Sequence, residues 1–155
     1  IVAQHTPKCI RILREFRLLN SDIFALCIEI KKHYTGVEII VTGDASGSAR
    51  SALTAGHANY YTILRQELNL QRTDIRTPRS NGSHSNSRML LNSILQRHPD
   101  FRIDPRCSYL IKDLENVGMT TDGRIDKTAD PKLGHLLDGL RYYLQTFHSD
   151  FVKQF

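Results

Sequence analysis

The run Val37-Glu38-Ile39-Ile40-Val41 constrains this chain most. It is short, apolar and rich in β-branched residues, which is the pattern of a strand buried on both faces. Such a strand needs sheet neighbours and covering helices. It leads into Thr42-Gly43-Asp44-Ala45-Ser46-Gly47, so an acid stands at the carboxyl end of a central strand, where α/β sheets gather their ligands. Asp44 also has a local alternative, an Asx-turn into Gly47.

The remaining elements place this strand in a mixed α/β fold, a central sheet flanked by helices. Cys9 to Leu18 alternates as a strand, with Ile1 to Gln4 as the strand before it. Asn20 or Ser21 caps a helix to about Tyr34, and Gly36 stops it. A small-residue loop from Ala45 to Gly56 precedes a helix around Ala58 to Leu68. Beyond a short extended piece near Ile75, the polar stretch Thr77 to Asn86 reads as a flexible loop beside DNA. A helix from Ser87 to Arg97, an edge strand Phe101 to Ile103 and a helix Cys107 to Val117 follow. Thr121-Asp122-Gly123-Arg124 is a hairpin-type turn, and Asp130-Pro131 opens the last helix as N-cap and first position.

On that last helix, at about 100° per residue, Leu133, Leu136, Leu137, Leu140, Tyr143, Leu144 and Phe147 share one broad face. His135, Asp138 and Tyr142 gather near the opposite side. Asp138 therefore belongs either to a solvated polar face or, with His135 one turn earlier, to a patch that binds a metal or positions water. An acid at a strand end with a second on a late helix is a common plan for a carboxylate metal site in phosphoryl chemistry. If the two meet, the chain is a metal-dependent nuclease.

The chain has 155 residues, enough for one domain with a core, and its mean hydropathy is −0.36. No run approaches the roughly 20 apolar residues of a membrane helix, and no signal peptide opens the sequence. The start lacks Met, which points to a fragment. Cys9, Cys27 and Cys107 form no C-x-x-C pair and read as reduced thiols in a cytoplasmic protein. Lys and Arg number 21 against 16 Asp and Glu, and many of the basic residues crowd the middle of the chain. Arg76, Arg79 and Arg88 are the candidate contacts to a nucleic-acid backbone, against the alternative of a solvated face. The P-loop, dinucleotide fingerprint, H-E-x-x-H, EF-hand and G-x-S-x-G patterns are absent, so NTPase, hydride-transfer, metalloprotease and serine-hydrolase chemistry lack support in this sequence.

Five pieces carry a resemblance: Val41 to Gly47, Asp104 to Cys107, Leu110 to Glu115, Asp126-Lys127, and His135 to Tyr142. In this order they resemble the C-terminal nuclease domain of the large terminase subunit of tailed bacteriophages, over nearly the whole chain. The resemblance implies a single ribonuclease-H-like nuclease domain over residues 1–155, with the packaging ATPase domain upstream on the same polypeptide. It implies two divalent ions, Mg²⁺ or Mn²⁺, held by three acids. The second and third acids fall on Asp44 and Asp138; the first falls ahead of Ile1, outside this sequence. His135 becomes a water-positioning group, and Lys127 either contacts the scissile phosphate or is a surface lysine. The implied reaction is hydrolysis of double-stranded DNA, cutting concatemers during packaging in the cytoplasm of an infected bacterium. The portal and small terminase subunit are the implied partners. A non-catalytic DNA- or portal-docking module and another ribonuclease-H-like nuclease, such as a resolvase or transposase core, are the rivals.

Overall fold

The computed structural model describes residues 1–48, 59–118, 120 and 134–154. These gather into two compact units: Ile1–Glu15 with Gly82–Phe155, and Phe16–Asn81.

In the first unit, β1 (Val2–Thr6) and β2 (Cys9–Arg14) form an antiparallel hairpin. The Thr6 hydroxyl closes its turn by accepting from the Lys8 and Cys9 amides. β3 (Phe101–Ile103) joins β2 in parallel, giving a mixed sheet of order β1-β2-β3. Alternation works as expected on β2, where Ile10 and Ile12 are buried and Arg11 between them is exposed. Among the described residues of this unit, three α-helices, α3 (His84–Arg97), α4 (Ser108–Asn116) and α5 (His135–Phe147), pack with the sheet. Leu90, Leu91, Ile94, Leu110, Leu140 and Leu144 enclose Ile10 and Ile12 in one core.

Two carboxylates brace this core by capping helices from outside. Glu15 accepts from the Tyr109 and Leu110 amides at the start of α4. Buried Asp113 of α4 accepts from the Leu136 and Leu137 amides at the start of α5. The helices' own N-cap residues, Cys107 and Gly134, supply no side-chain cap. The carboxylates satisfy amide groups that a helix start leaves unpaired and oppose its positive dipole end.

The second unit holds α1 (Ile23–His33) and α2 (Tyr60–Glu67), with Cys27, Ile63 and Leu64 buried. Asp22 caps α1, its carboxylate accepting from the Ala25 amide. Asn59 caps α2 in the same way through the Thr62 amide.

Several expectations need correction. The strand from Cys9 ends at Arg14, not Leu18. The cap of α1 is neither Asn20 nor Ser21; Asn20 takes a left-handed φ of 49° instead. α3 starts inside the stretch expected to be a loop, because Ser83 accepts from the Asn86 amide and nucleates the helix there. The largest correction concerns Val37 to Val41. Only Val41 pairs, in a single parallel bridge to Ile75. Val37 is 58% exposed and Ile40 37%. An apolar β-branched run satisfies strand propensity, but burial on two faces requires partner strands and covering layers. The described sheet is built elsewhere, from the hairpin and Phe101–Ile103. Asp130-Pro131 and the turn at Thr121 to Arg124 lie outside the described residues. α5 itself begins after Gly134, whose φ of 87° is left-handed and ends any right-handed helical path there.

The mixed sheet with its helices makes the chain α/β. Cys27 and Cys107 are buried and Cys9 partly so, all three as free thiols. Burial pushes the Cys27 and Cys107 thiols up, away from reactivity. No described helix is long and apolar enough to cross a membrane.

Candidate functional site

Asp44 lies in the unit Phe16–Asn81, just ahead of the 3-10 turn Ala45–Ser48. Its Oδ1 accepts from the Ser46 amide at 2.7 Å, which is the Asx-turn alternative realised. The same oxygen accepts from Nδ2 of Asn81 at 2.8 Å, while Oδ1 of Asn81 accepts from the Ala45 amide at 2.9 Å. Asn81 thus clamps the turn with both halves of its amide. The Asp44 carbonyl takes the Gly47 amide at 3.1 Å and the Tyr61 hydroxyl at 2.7 Å.

Tyr61 explains the two glycines that flank the acid. A Cβ on Gly43 would stand 2.7 Å from the Tyr61 hydroxyl oxygen, and one on Gly47 would stand 2.9 Å from its ring. The Gly-Asp-Ala-Ser-Gly pattern is therefore the imprint of a tyrosine ring laid along the turn. The two contacts of the carboxylate named above come from neutral donors and fix its direction. A fixed, oxygen-donating carboxylate suits a hard divalent cation.

Asp138 lies in the other unit, in the first turn of α5, and its surroundings differ. Arg141, one turn on, is only 7% exposed. Its Nη1 donates to Asp138 Oδ1 at 2.7 Å, its Nε to Ser87 Oγ at 2.9 Å, and its Nη2 to His84 Nδ1 at 2.9 Å. Buried Ser87 passes its own proton to the His84 carbonyl at 3.0 Å. Because guanidinium only donates, His84 Nδ1 must be an acceptor here. The arrangement fastens α5 to α3 and leaves no buried side-chain polar atom unsatisfied among the described residues.

The expected polar face gains a partner from its own helix. Asp138 does stand apart from the buried leucines, but its partner is Arg141. His135 is exposed, and no hydrogen bond joins it to Asp138 among the described residues. Arg141 was hidden because an arginine at i+3 from an acid reads as a surface ion pair. Only its contact with Ser87, 54 positions away, makes it internal.

The remaining site residues are spread out. Arg76 and Arg79 are exposed in the unit Phe16–Asn81, while Arg88 is half-buried on α3 of the other. Lys127 lies outside the described residues. Part of the basic crowd is neutralised locally: Arg102 pairs with Asp100 at 2.6 Å and Arg106 with Asp104 at 2.8 Å. Hydrogen bonds from Arg106 hold the Asp104 carboxyl far below the usual carboxylate range. Asn81 and Tyr61 were missed by sequence reasoning. Tyr61 is distant by 17 positions and Asn81 by 37, with no local pattern linking either to Asp44.

The implied pair of divalent ions is met unevenly. Asp44 offers an oriented carboxylate, whereas Asp138 gives Oδ1 to a cationic side chain. No group of three or more His, Cys, Asp or Glu that could hold a metal occurs among the described residues. No family model matches the chain, no curated protein matches it and no solved structure matches it.

Proposed function

We propose that the chain is the nuclease domain of a phage-type large terminase subunit, of ribonuclease-H-like fold. In this role it is a divalent-metal-dependent endonuclease that cuts concatemeric viral DNA during genome packaging. The observation that carries the proposal is the seating of Asp44. Its carboxylate is aimed by Ser46 and Asn81 on a turn kept narrow by two glycines and Tyr61. The order of the resembling pieces along the sequence gives this acid its role, and the net charge of +5 suits a polyanionic partner.

Asp44 and Asp138 would be the ligating acids. Bound Mg²⁺ or Mn²⁺ ions would supply an activated water and charge stabilisation at the phosphate. Asn81 and the Ser46 amide hold Asp44 in place; Arg141 holds Asp138, and must yield some of that contact before Asp138 can ligate. Arg76, Arg79 and Arg88 would hold the duplex by its phosphates without reading sequence. Lys127 would contact the scissile phosphate and His135 would position water. The packaging ATPase, the portal and the small terminase subunit are the proposed partners, in the host cytoplasm.

The Arg141–Asp138 pair also favours a second reading, a DNA- or portal-docking module without catalysis, in which Asp138 is a helix-fastening acid. Plasmid nicking and linearisation in Mn²⁺, Mg²⁺ and EDTA separate the two. The assay should use this chain and any longer polypeptide extending ahead of Ile1, beside Asp44→Asn and Asp138→Asn. Metal-dependent cutting lost in both variants supports the nuclease. A folded protein that shifts DNA and never cuts it supports the docking module.

A further inference from the structure

The hydroxyl of Tyr143 sits between two imidazoles. His5 of β1 approaches it through Nδ1 at 3.0 Å, and His148, at the C-terminal end of α5, through Nε2 at 3.2 Å. The two imidazole centroids are 4.8 Å apart, edge to face, and the His5 ring also packs on Phe147 at 5.2 Å. Tyr143 is 6% exposed. A phenol carries one proton and accepts with its lone pairs. When it donates to one imidazole, the other must present an N–H. If both imidazoles become cations, the phenolic proton has no acceptor in this pair, and two positive charges face each other across a buried oxygen.

We propose that His5, Tyr143 and His148 form an acid-released clasp that fastens the C-terminal 3-10 turn Ser149–Gln154 to the N-terminal hairpin.

The surroundings give the clasp its sign. His148 is faced by His5 from β1 and Tyr143 from α5, and it feels the charge of His98 at the end of α3, whose imidazole lies tilted 5.6 Å from Phe151. From β2, Cys9 faces Tyr143, its thiol drawn down by the Thr6 hydroxyl. In the 3-10 turn itself, Asp150 and Lys153 are paired with each other at 2.6 Å. Asp100 stands beside His98 with its amide on His98 Nδ1, and its carboxylate is engaged by Arg11 and Arg102. The charges that bear on His148 are thus those of other histidines. Burial first, then His5 and His98, lower its pKa from 6.5 to about 4. The folded form therefore prefers neutral His148, and the clasp is fully effective above pH 6.5. It weakens as pH falls from 6.5 towards about 4, because the opened form binds the proton more readily.

Hydrogen exchange of the amides from His148 to Val152 tests this, measured at pH 7.5 and pH 5 and corrected for intrinsic rates. The opening constant of the wild type should rise about thirtyfold at the lower pH. His148→Gln keeps a side-chain hydrogen-bonding group without a titrating ring, and should flatten that dependence. Equal wild-type protection at the two pH values, or an undiminished acid response in His148→Gln, would overturn the clasp. Should the variant fail to fold, an NMR titration of the wild-type imidazole decides: a midpoint well below 6.5 supports the clasp, and one at 6.5 or above rejects it.

Discussion

Asp44 and Asp138 are both semi-buried aspartates beside a helical turn, yet their neighbours treat them in opposite ways. Asp44 is aimed by an amide and a carboxamide, both neutral. Asp138 is gripped by a nearly buried guanidinium that also ties down Ser87 and His84. Neutral donors aim a carboxylate; an arginine aims it and also pairs with its charge. The same residue type thus orders a turn in one place and fastens two helices in the other.

The sharpest way to break this contrast is Arg141→Met. It removes the charge from a buried network and strands Ser87 and Asp138, so urea unfolding should lose about 3 kcal/mol. A loss under about 1 kcal/mol would make the network ornamental and Asp138 free for another role. Gly47→Ala probes the other region. Its new Cβ would press on the Tyr61 ring, and a destabilisation of about 1–3 kcal/mol is expected in the same assay. Asn81→Ala removes the clamp without adding bulk. It should cost about 1 kcal/mol, with a larger relative effect on metal affinity measured by calorimetry. The smallest effect belongs to Lys31→Met, which deletes an exposed pair between α1 and α2. Less than about 1 kcal/mol should be lost, and salt should mask most of it.

What was legible in the sequence was what short-range physics decides. Helix periodicity located α1 to α5 to within a few residues, and Phe101 to Ile103 was a strand because its neighbours Asp104-Pro105 stop it. The Asx-turn at Asp44 was readable too, since its donor lies two residues on. Element ends such as the cap of α1 and the start of α3 were misplaced by a few residues, but the larger failures involve distance along the chain. Val37 to Val41 carries every local mark of a core strand, but pairing depends on what the rest of the chain brings alongside. Asn81, the Glu15 and Asp113 caps and the burial of Arg141 are contacts across 23 to 95 positions. A polar residue in a polar stretch announces none of these. His5 illustrates the same point, since nothing near it indicates a tyrosine 138 positions away.

The most direct test of the central claim is a site-resolved Mn²⁺ titration of the full chain by NMR, reading paramagnetic broadening of backbone amides. The account predicts that Ala45, Ser46 and Gly47 broaden at lower Mn²⁺ than the amides around Asp138, and that Asp44→Asn abolishes their response. Sharp signals at the Asp44 turn in the presence of saturating Mn²⁺, or broadening centred first on Asp138, would contradict it.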